Sequence, residues 1–341
     1  MKIGVLVATY NGMKYIKEQI DSILHQKCKV DEIIISDDNS TDGTYEFLCD
    51  YLAKIQDIDV KIFRNTKKGI SNNFFNAYVH STSDYLFFSD QDDVWFENKT
   101  EIFIKAIKKM PDCGMYFSNA LVVDAELNSL NCTNFDRFVQ GVFVEKKDDI
   151  VSISDDKAIK RLFLNNFITG MSMMVKRDVL DKGFITESDF LHDDMLTMYS
   201  ALNSSICCIN TITALYRQHS NNVIGAKSVE NKKNDDVTSK NNPNKYVMFA
   251  LENCYSINYV LGRIKTMKEI NHNSKNTDLL KEIYELCMFR ESLLSTNSFL
   301  GIFKVLFHIP EYLHFLNWKY IMVDIATLLL VRKNNRKNPL G

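Results

Sequence analysis

No stretch of this sequence reaches the roughly 18 apolar residues that a membrane-spanning helix needs, so the protein is expected to be soluble or to meet a membrane only at its cytoplasmic surface. An excess of one charge is missing too: the formal net charge is -2, which gives no global signal for nucleic acid. Of the eight cysteines, Cys28, Cys49, Cys113, Cys132, Cys207, Cys208, Cys254 and Cys287, none forms a CxxC pair or a Cys/His spacing suited to zinc. They are expected to be reduced, mostly buried thiols of a cytosolic protein. The opening MKIGVLVATYNG has one lysine, a short apolar run and no small-residue cleavage site, so it reads as a first β-strand and not as a secretory leader. There is no internal repeat. What the chain does have is 45% hydrophobic residues over 341 positions, enough for a sizeable core.

Strand-like and helix-like patterns alternate over residues 1–120, which predicts an α/β fold with a mostly parallel sheet covered by helices. Strands are expected over 2–8, 32–36, 60–64 and 85–89, and helices over 13–26, 44–55 and 71–80. Ile16, Ile20, Ile23 and Leu24 share one helical face, and Phe74, Phe75 and Tyr78 another. Ligands of open α/β sheets lie beyond the carboxyl ends of the strands, so the polar segments 9–12, 37–43, 64–69 and 90–93 should face one crevice. Further on, the pattern predicts a hairpin around 124–128, a strand in MSMMVK (171–176), a helix over 192–202 and a strand pair over 206–209 and 213–217. A polar loop or linker is expected at 227–245 and a helical region at 246–341.

The segment YLFFSDQDDVW, 85–95, ends an apolar strand in three carboxylates, Asp90, Asp92 and Asp93. Like charges so close repel one another unless a cation sits among them. The DxD spacing of Asp90 and Asp92 at a strand end suits Mg²⁺ or Mn²⁺, with Asp93 a further ligand or a partner for a substrate hydroxyl. A solvated acidic loop is the plain alternative, and a calcium loop is disfavoured by the missing DxDxDG pattern.

TYNG at 9–12, SDDNSTDGT at 36–44, RNTKKGISNNFFNA at 64–77, SDQDDVW at 89–95, ITG at 168–170, HDD at 192–194 and YRQHSNNVIG at 216–225 stand in the order seen in family 2 glycosyltransferases. The chain most resembles the rhamnosyltransferase-like branch that builds bacterial surface polysaccharides, over about residues 1–226. That resemblance implies a GT-A fold, with 1–120 as the nucleotide-sugar-binding half and 121–226 as the acceptor half, to which the helical pattern of 246–341 adds a C-terminal extension. It implies a metal-dependent inverting transferase that uses Mn²⁺ or Mg²⁺ held by Asp90, Asp92 and His219. The donor would be a dTDP- or UDP-sugar, dTDP-rhamnose being favoured, and the acceptor a lipid-linked saccharide. Thr9, Tyr10, Asn11, Asp38, Asp42, Arg64, Gly69, Asp90, Gln91 and Arg217 would serve the donor, with Asp38 accepting from the imide N–H of a pyrimidine base. Thr169, Gly170, Trp95 and His192 would lie on the acceptor side, and Asp193, with Asp194 as second choice, would be the general base.

Each assignment has a plainer competitor. An aspartate of the HDD motif also suits a helix cap, Arg64 a surface ion pair, and Arg217 and His219 structural hydrogen bonds. A DxD phosphatase fits Asp90 to Val94 superficially but leaves Asp38 and HDD unexplained, and a non-catalytic assembly protein would not need the charges of Asp90, Asp92 and Asp193. The C-terminal stretch 300–333, interrupted by Pro310 and carrying Asp324, lies on an anionic bilayer in one reading. In the other it packs as a helix pair against the rest of the chain or a second subunit.

Overall fold

The computed structural model describes residues 1–138, 150–153, 156–164, 166–186, 190–220, 222, 257–269, 277–295, 305, 308–309 and 324–325. The chain divides into two compact units, Met1–Ser154 with Asn166–Ala226, and Asp155–Asn165 with Lys227–Gly341. The first holds β1 (Ile3–Thr9), α1 (Ile16–Leu24), β2 (Glu32–Asp37), α2 (Thr44–Leu52), β3 (Asp59–Arg64), α3 (Ile70–Val79), β4 (Tyr85–Ser89), β5 (Val94–Trp95) and α4 (Lys99–Lys109). After these come β6 (Cys113–Val123), β7 (Ser129–Thr133), α5 (Asn134–Phe138) and β8 (Ile150–Ile153). A helix of the second unit intervenes, α6 (Asp156–Leu164), before β9 (Met173–Lys176), α7 (Arg177–Gly183), α8 (His192–Asn203) and β10 (Ser205–Arg217).

The strands form one sheet in the order β3-β2-β1-β4-β9-β6-β10-β5, with β7 paired to β6 and β8 to β10. β1, β2, β3, β4, β6 and β10 run one way, and β5, β7, β8 and β9 the other. Every residue of β1, β2 and β4 is buried, because helices cover both faces; that is why these strands read as unbroken apolar runs. α1 buries Ile16, Ile20, Ile23 and Leu24, the face its spacing predicts. On α3, Phe74 and Tyr78 are buried, but Phe75 is only half-buried, its ring meeting the edge of Phe184 at 5.3 Å. The hairpin at 124–128 joins β6 to β7. The strand pair expected over 206–217 is instead one continuous strand, β10: its register on β6 slips between Ile209 and Ala214, so a bulge bends it without ending it.

Glu32 anchors the opposite edge of the sheet from the strand ends. Its buried carboxylate accepts from Ser81 Oγ, from the backbone N–H groups of Thr82 and Ser83 at 2.9 Å each, and from Lys2 Nζ at 3.3 Å. Burial alone would push this carboxyl up; the bonds from Ser81, Ser83 and Thr82 and the charge of Lys2 outweigh it and hold it at about 2. A depressed carboxyl stabilises the fold above its ordinary value of 4.5 and stops doing so as pH falls through about 2. Glu32→Gln is therefore expected to cost on the order of 3 kcal/mol at pH 7, with the gap from wild type closing towards pH 2, as read by urea unfolding across that range.

In the second unit, α6 is joined to helices at 257–269 and Thr277–Ser295. Lys160 pairs with Glu282 at 2.7 Å, and Arg263 donates to the Phe163 carbonyl at 3.0 Å. Asp324, the charge inside the C-terminal apolar stretch, is buried and receives two bonds from Arg290, at 2.8 and 3.0 Å. Its charge is thus met by Arg290 within that unit. Among the described residues no helix is long and apolar enough to cross a membrane. The linker at 227–245, the start of the expected helix at 246–256 and most of the C-terminal stretch lie outside the described residues. The seven described cysteines are free, and Cys113, Cys207, Cys208 and Cys287 are buried.

Candidate active site

The loops after β1 and β2 lock together through side chains that the sequence places at fixed offsets. Asn11 adopts a left-handed φ of 49°, and its Oδ1 accepts from the Thr41 N–H at 2.9 Å while its own N–H donates to Ser40 Oγ at 2.8 Å. Gly12 N–H donates to Thr44 Oγ1 at 2.9 Å and Met13 N–H to Asp42 at 3.0 Å, so Asp42 shapes the loop from outside the cleft. Asp37 is fully buried and spends its carboxylate on Thr9, Ser40 and the Ser40 N–H. Asp38, next in sequence, turns the other way and lines a cleft of about 270 Å³. Its oxygens take Asn65 Nδ2 at 3.0 Å and the Gly69 N–H at 2.9 Å. Gly69 makes the second contact at φ 117°, a conformation that a residue with a Cβ resists.

Gln91 clamps Tyr10 from the facing strand end, accepting its N–H at 2.8 Å and donating to its carbonyl at 3.0 Å. A Cβ on Gly12 would stand 2.3 Å from Gln91 Oε1, so the glycine of TYNG is what admits the clamp. Tyr10, 48% exposed, is left holding its ring at the cleft wall.

Asp90 and Asp92 line the same cleft, whereas Asp93 lies beneath it, 1% exposed. Burial, then the charges of Asp92 and Asp193, push the Asp90 carboxyl up to about 7 against the pull of Lys99. Burial, then the charges of Asp92 and Asp90, push Asp93 well up. Two cations support the cluster from behind. Arg217 is 2% exposed and uses its donors on the protein: the Asp92 carbonyl and the Ala125 carbonyl at 2.6 Å each, and Glu18. Its backbone N–H donates to Asp93 at 3.0 Å. Lys99 is fully buried, its Nζ giving a hydrogen bond to the Met171 carbonyl at 2.8 Å and lying 4.1 Å from the Trp95 ring centre. Burial lowers its ammonium to about 7, opposed by the charges of Asp93 and Asp90.

The opposite wall is the start of α8. The helix cap is Leu191, which gives no side-chain bond, so neither aspartate of HDD is the cap residue. Asp193 lines the cleft; Asp194 is buried away from it. Asp193 accepts from the N–H groups of Asp194 at 2.8 Å and Gly170 at 3.2 Å. Burial first, then the charge of Asp194, push its carboxyl up to about 6 in spite of those bonds. Thr169, Gly170 and His192 stand beside it on the lining.

Of the residues predicted from sequence, then, Thr9, Tyr10, Asp38, Asp90, Gln91, Asp92, Thr169, Gly170, His192 and Asp193 meet in one cleft. Others lie elsewhere. Arg64 stacks on Tyr45 and pairs with Glu46 at 2.9 Å, as the plainer reading has it. Arg217 is the structural clamp just described. Trp95, expected on the acceptor side, is 3% exposed and packs on Phe87 with the Lys99 ammonium over its face, because β5 pairs it to β10. His219 stacks on Tyr15 and its Nε2 is 2.8 Å from Asp92. Sequence reading passed over Ile70, Asn73, Tyr216 and Asn222, which also line the cleft. All four stand within the motif segments RNTKKGISNNFFNA and YRQHSNNVIG, but nothing in an isoleucine, asparagine or tyrosine alone marks it as facing a ligand.

Among the described residues no three His, Cys, Asp or Glu side chains are gathered closely enough to hold a metal by themselves. Mg²⁺-type sites typically need one or two carboxylates, with substrate phosphates completing the shell. Asp90 and Asp92 supply hard oxygen donors that face the cleft, and their mutual repulsion is of the kind a dication relieves, so the residues present fit one.

The model of the family described as "Glycosyl transferase family 2" matches residues 4–184. The chain belongs to glycosyl transferase family 2. This family 2 chain is 30% identical over 234 residues to the dTDP-rhamnosyl transferase RfbG of Shigella flexneri, covering 64% of this chain and 74% of that one. It is 28% identical over 227 residues to the glycosyltransferase GlyG of Streptococcus pneumoniae, covering 65% and 72%. Its fold is similar to that of S. aureus TarS 1-349 solved in complex with UDP-GlcNAc, with a TM-score of 0.57 at 13% identity over 99% of this chain and 92% of that one. The mixed sheet and flanking helices are thus those of a GT-A glycosyltransferase, as the motifs predict.

Proposed function

We propose that this glycosyltransferase moves a sugar, with inversion at the anomeric carbon, from a nucleoside diphosphate donor to a hydroxyl of a growing, lipid-linked bacterial surface polysaccharide. The favoured donor is dTDP-rhamnose. The observation that carries the reading is the meeting of Asp38, Asp90, Asp92 and Asp193 in one cleft. Asp38 would accept the imide N–H of thymine or uracil with lone pairs left over from the two bonds it already accepts. Asp90 and Asp92, with His219 beside Asp92, would hold the Mn²⁺ or Mg²⁺ ion, which when bound offsets the charge that develops on the departing diphosphate. Asp193 takes the acceptor's proton as its oxygen attacks; a carboxyl raised to about 6 is a better base near neutrality than an ordinary one. The Gly170 and Asp194 N–H groups fix that carboxylate, and no covalent sugar–enzyme intermediate is required.

The likeness to the Shigella dTDP-rhamnosyl transferase supports rhamnose. A UDP-hexose or UDP-N-acetylhexosamine donor is the second reading, supported by the fold shared with a protein solved with UDP-GlcNAc. Nucleotide release by the purified chain, screened over dTDP-rhamnose, UDP-glucose and UDP-GlcNAc with Mn²⁺, separates them. Turnover is expected with dTDP-rhamnose, turnover with a UDP-sugar alone moves the assignment to the second reading, and turnover with none contradicts both.

A further inference from the structure

Two buried polar side chains in the cleft wall carry hydrogen-bonding capacity that nothing among the described residues uses. Building on the transferase reading above, we infer that these two, Asn73 and His192, bind hydroxyl groups of the donor's sugar and so determine which sugar is accepted. Asn73 is 2% exposed, and its Nδ2 donates to the Thr9 carbonyl at 3.0 Å. That donation fixes which way the amide points and leaves Oδ1 as an unpaired acceptor. His192 is 3% exposed with neither ring nitrogen paired.

The resemblance puts His192 on the acceptor side; its packing ties it to the nucleotide-binding half. Its backbone N–H donates to Ser71 Oγ at 3.1 Å, and its ring lies 4.4 Å from Phe74 and 5.3 Å from Phe88, on α3 and β4. Burial in this aromatic cage pushes the imidazolium down to about 3, so at neutral pH the ring offers one N–H and one bare nitrogen. Sugar hydroxyls, each able to donate or to accept, can meet either nitrogen. On the other side of the ring, a Cβ at position 170 would stand 3.0 Å from Nε2, so Gly170 keeps this nitrogen from being covered by a side chain. Ala8, Ile70 and Leu191 line the cleft as well and supply apolar surface for the C–H faces of a pyranose. Unpaired buried polar groups are costly, and a site built to bond a hydroxyl rejects an analogue without it more sharply than apolar fit alone does.

The test uses the full chain and isothermal titration of dTDP against dTDP-rhamnose, and of UDP against UDP-GlcNAc, in wild type, His192→Phe, His192→Asn and Asn73→Ala. His192→Phe keeps the aromatic packing and removes the hydrogen bonds; thermal unfolding reports whether each variant is folded, and Asn73→Ala carries the test should His192→Phe not be. The bare nucleotide is expected to bind the variants within about twofold of wild type. The extra affinity that the sugar confers should fall at least about tenfold in His192→Phe and Asn73→Ala and return in part in His192→Asn. An undiminished sugar increment in both variants overturns the assignment, as does an equal loss for nucleotide and nucleotide sugar, which would mark a structural role. A wild-type protein that binds no nucleotide overturns the transferase reading and this assignment with it.

Discussion

Asp193→Asn is expected to lower kcat for sugar transfer by about 10²–10⁴-fold, the contribution of a positioned general base, while leaving the affinity for nucleotide within about twofold of wild type. The amide keeps the shape of the side chain, and its one oxygen can still accept from the Asp194 N–H at the cost of the longer bond from the Gly170 N–H, so the wall of the cleft should largely stand. The sign of the pH dependence follows from the raised carboxyl. A base must be ionised to act, so kcat in the wild type should fall as pH drops through about 6, and the residual rate of the variant should lose that limb. Steady-state rates from pH 5 to 8 read both effects. A variant that keeps its rate, alongside an Asp194→Asn protein that loses it, would move the base one residue along the chain, against the placement of Asp194 outside the cleft.

Asp92→Asn has the second large expected effect. Removing a charged metal ligand should cost more metal affinity than the roughly 10–100-fold that loss of an outer-shell partner costs, so the tightening of nucleotide binding by Mn²⁺, at least about tenfold in wild type, should be lost. Asp90→Asn should behave likewise, since both carboxylates face the cleft. Affinity measured in EDTA should hardly change in either variant. Equal losses with and without the ion would show that these aspartates serve the fold and not a cation.

The parallel half of the sheet was legible because its strands are buried on both faces and read as unbroken apolar runs, ending in polar segments that the topology brings to one edge. Asp38, Asp90 and Asp193 could be found by that rule together with the motif order. Position alone did not tell which face of a strand end a side chain takes: Asp37 and Asp38 are neighbours, yet one is consumed inside the loop and the other lines the cleft. Arg217 carried the chemistry of a phosphate ligand and is spent on carbonyls and Glu18, because β10 brings it behind the acidic loop and not in front of it. Lys99 was passed over for the opposite reason. In a segment as polar as ENKTE a lysine reads as solvated, and only the packing of α4 beneath Trp95 turns it inward to Met171. The bulged strand β10 was split in two because a bulge interrupts the alternation that marks a strand without ending its pairing.

The central claim is that the acidic strand end grips the diphosphate of a pyrimidine nucleotide through a divalent cation. Calorimetric titration of dTDP and of UDP into the purified chain, with Mn²⁺ and with EDTA, tests it most directly. Saturable binding of at least one nucleotide, tightened at least about tenfold by the ion, is the predicted result. Binding indifferent to the ion, or none of either nucleotide in its presence, would contradict it.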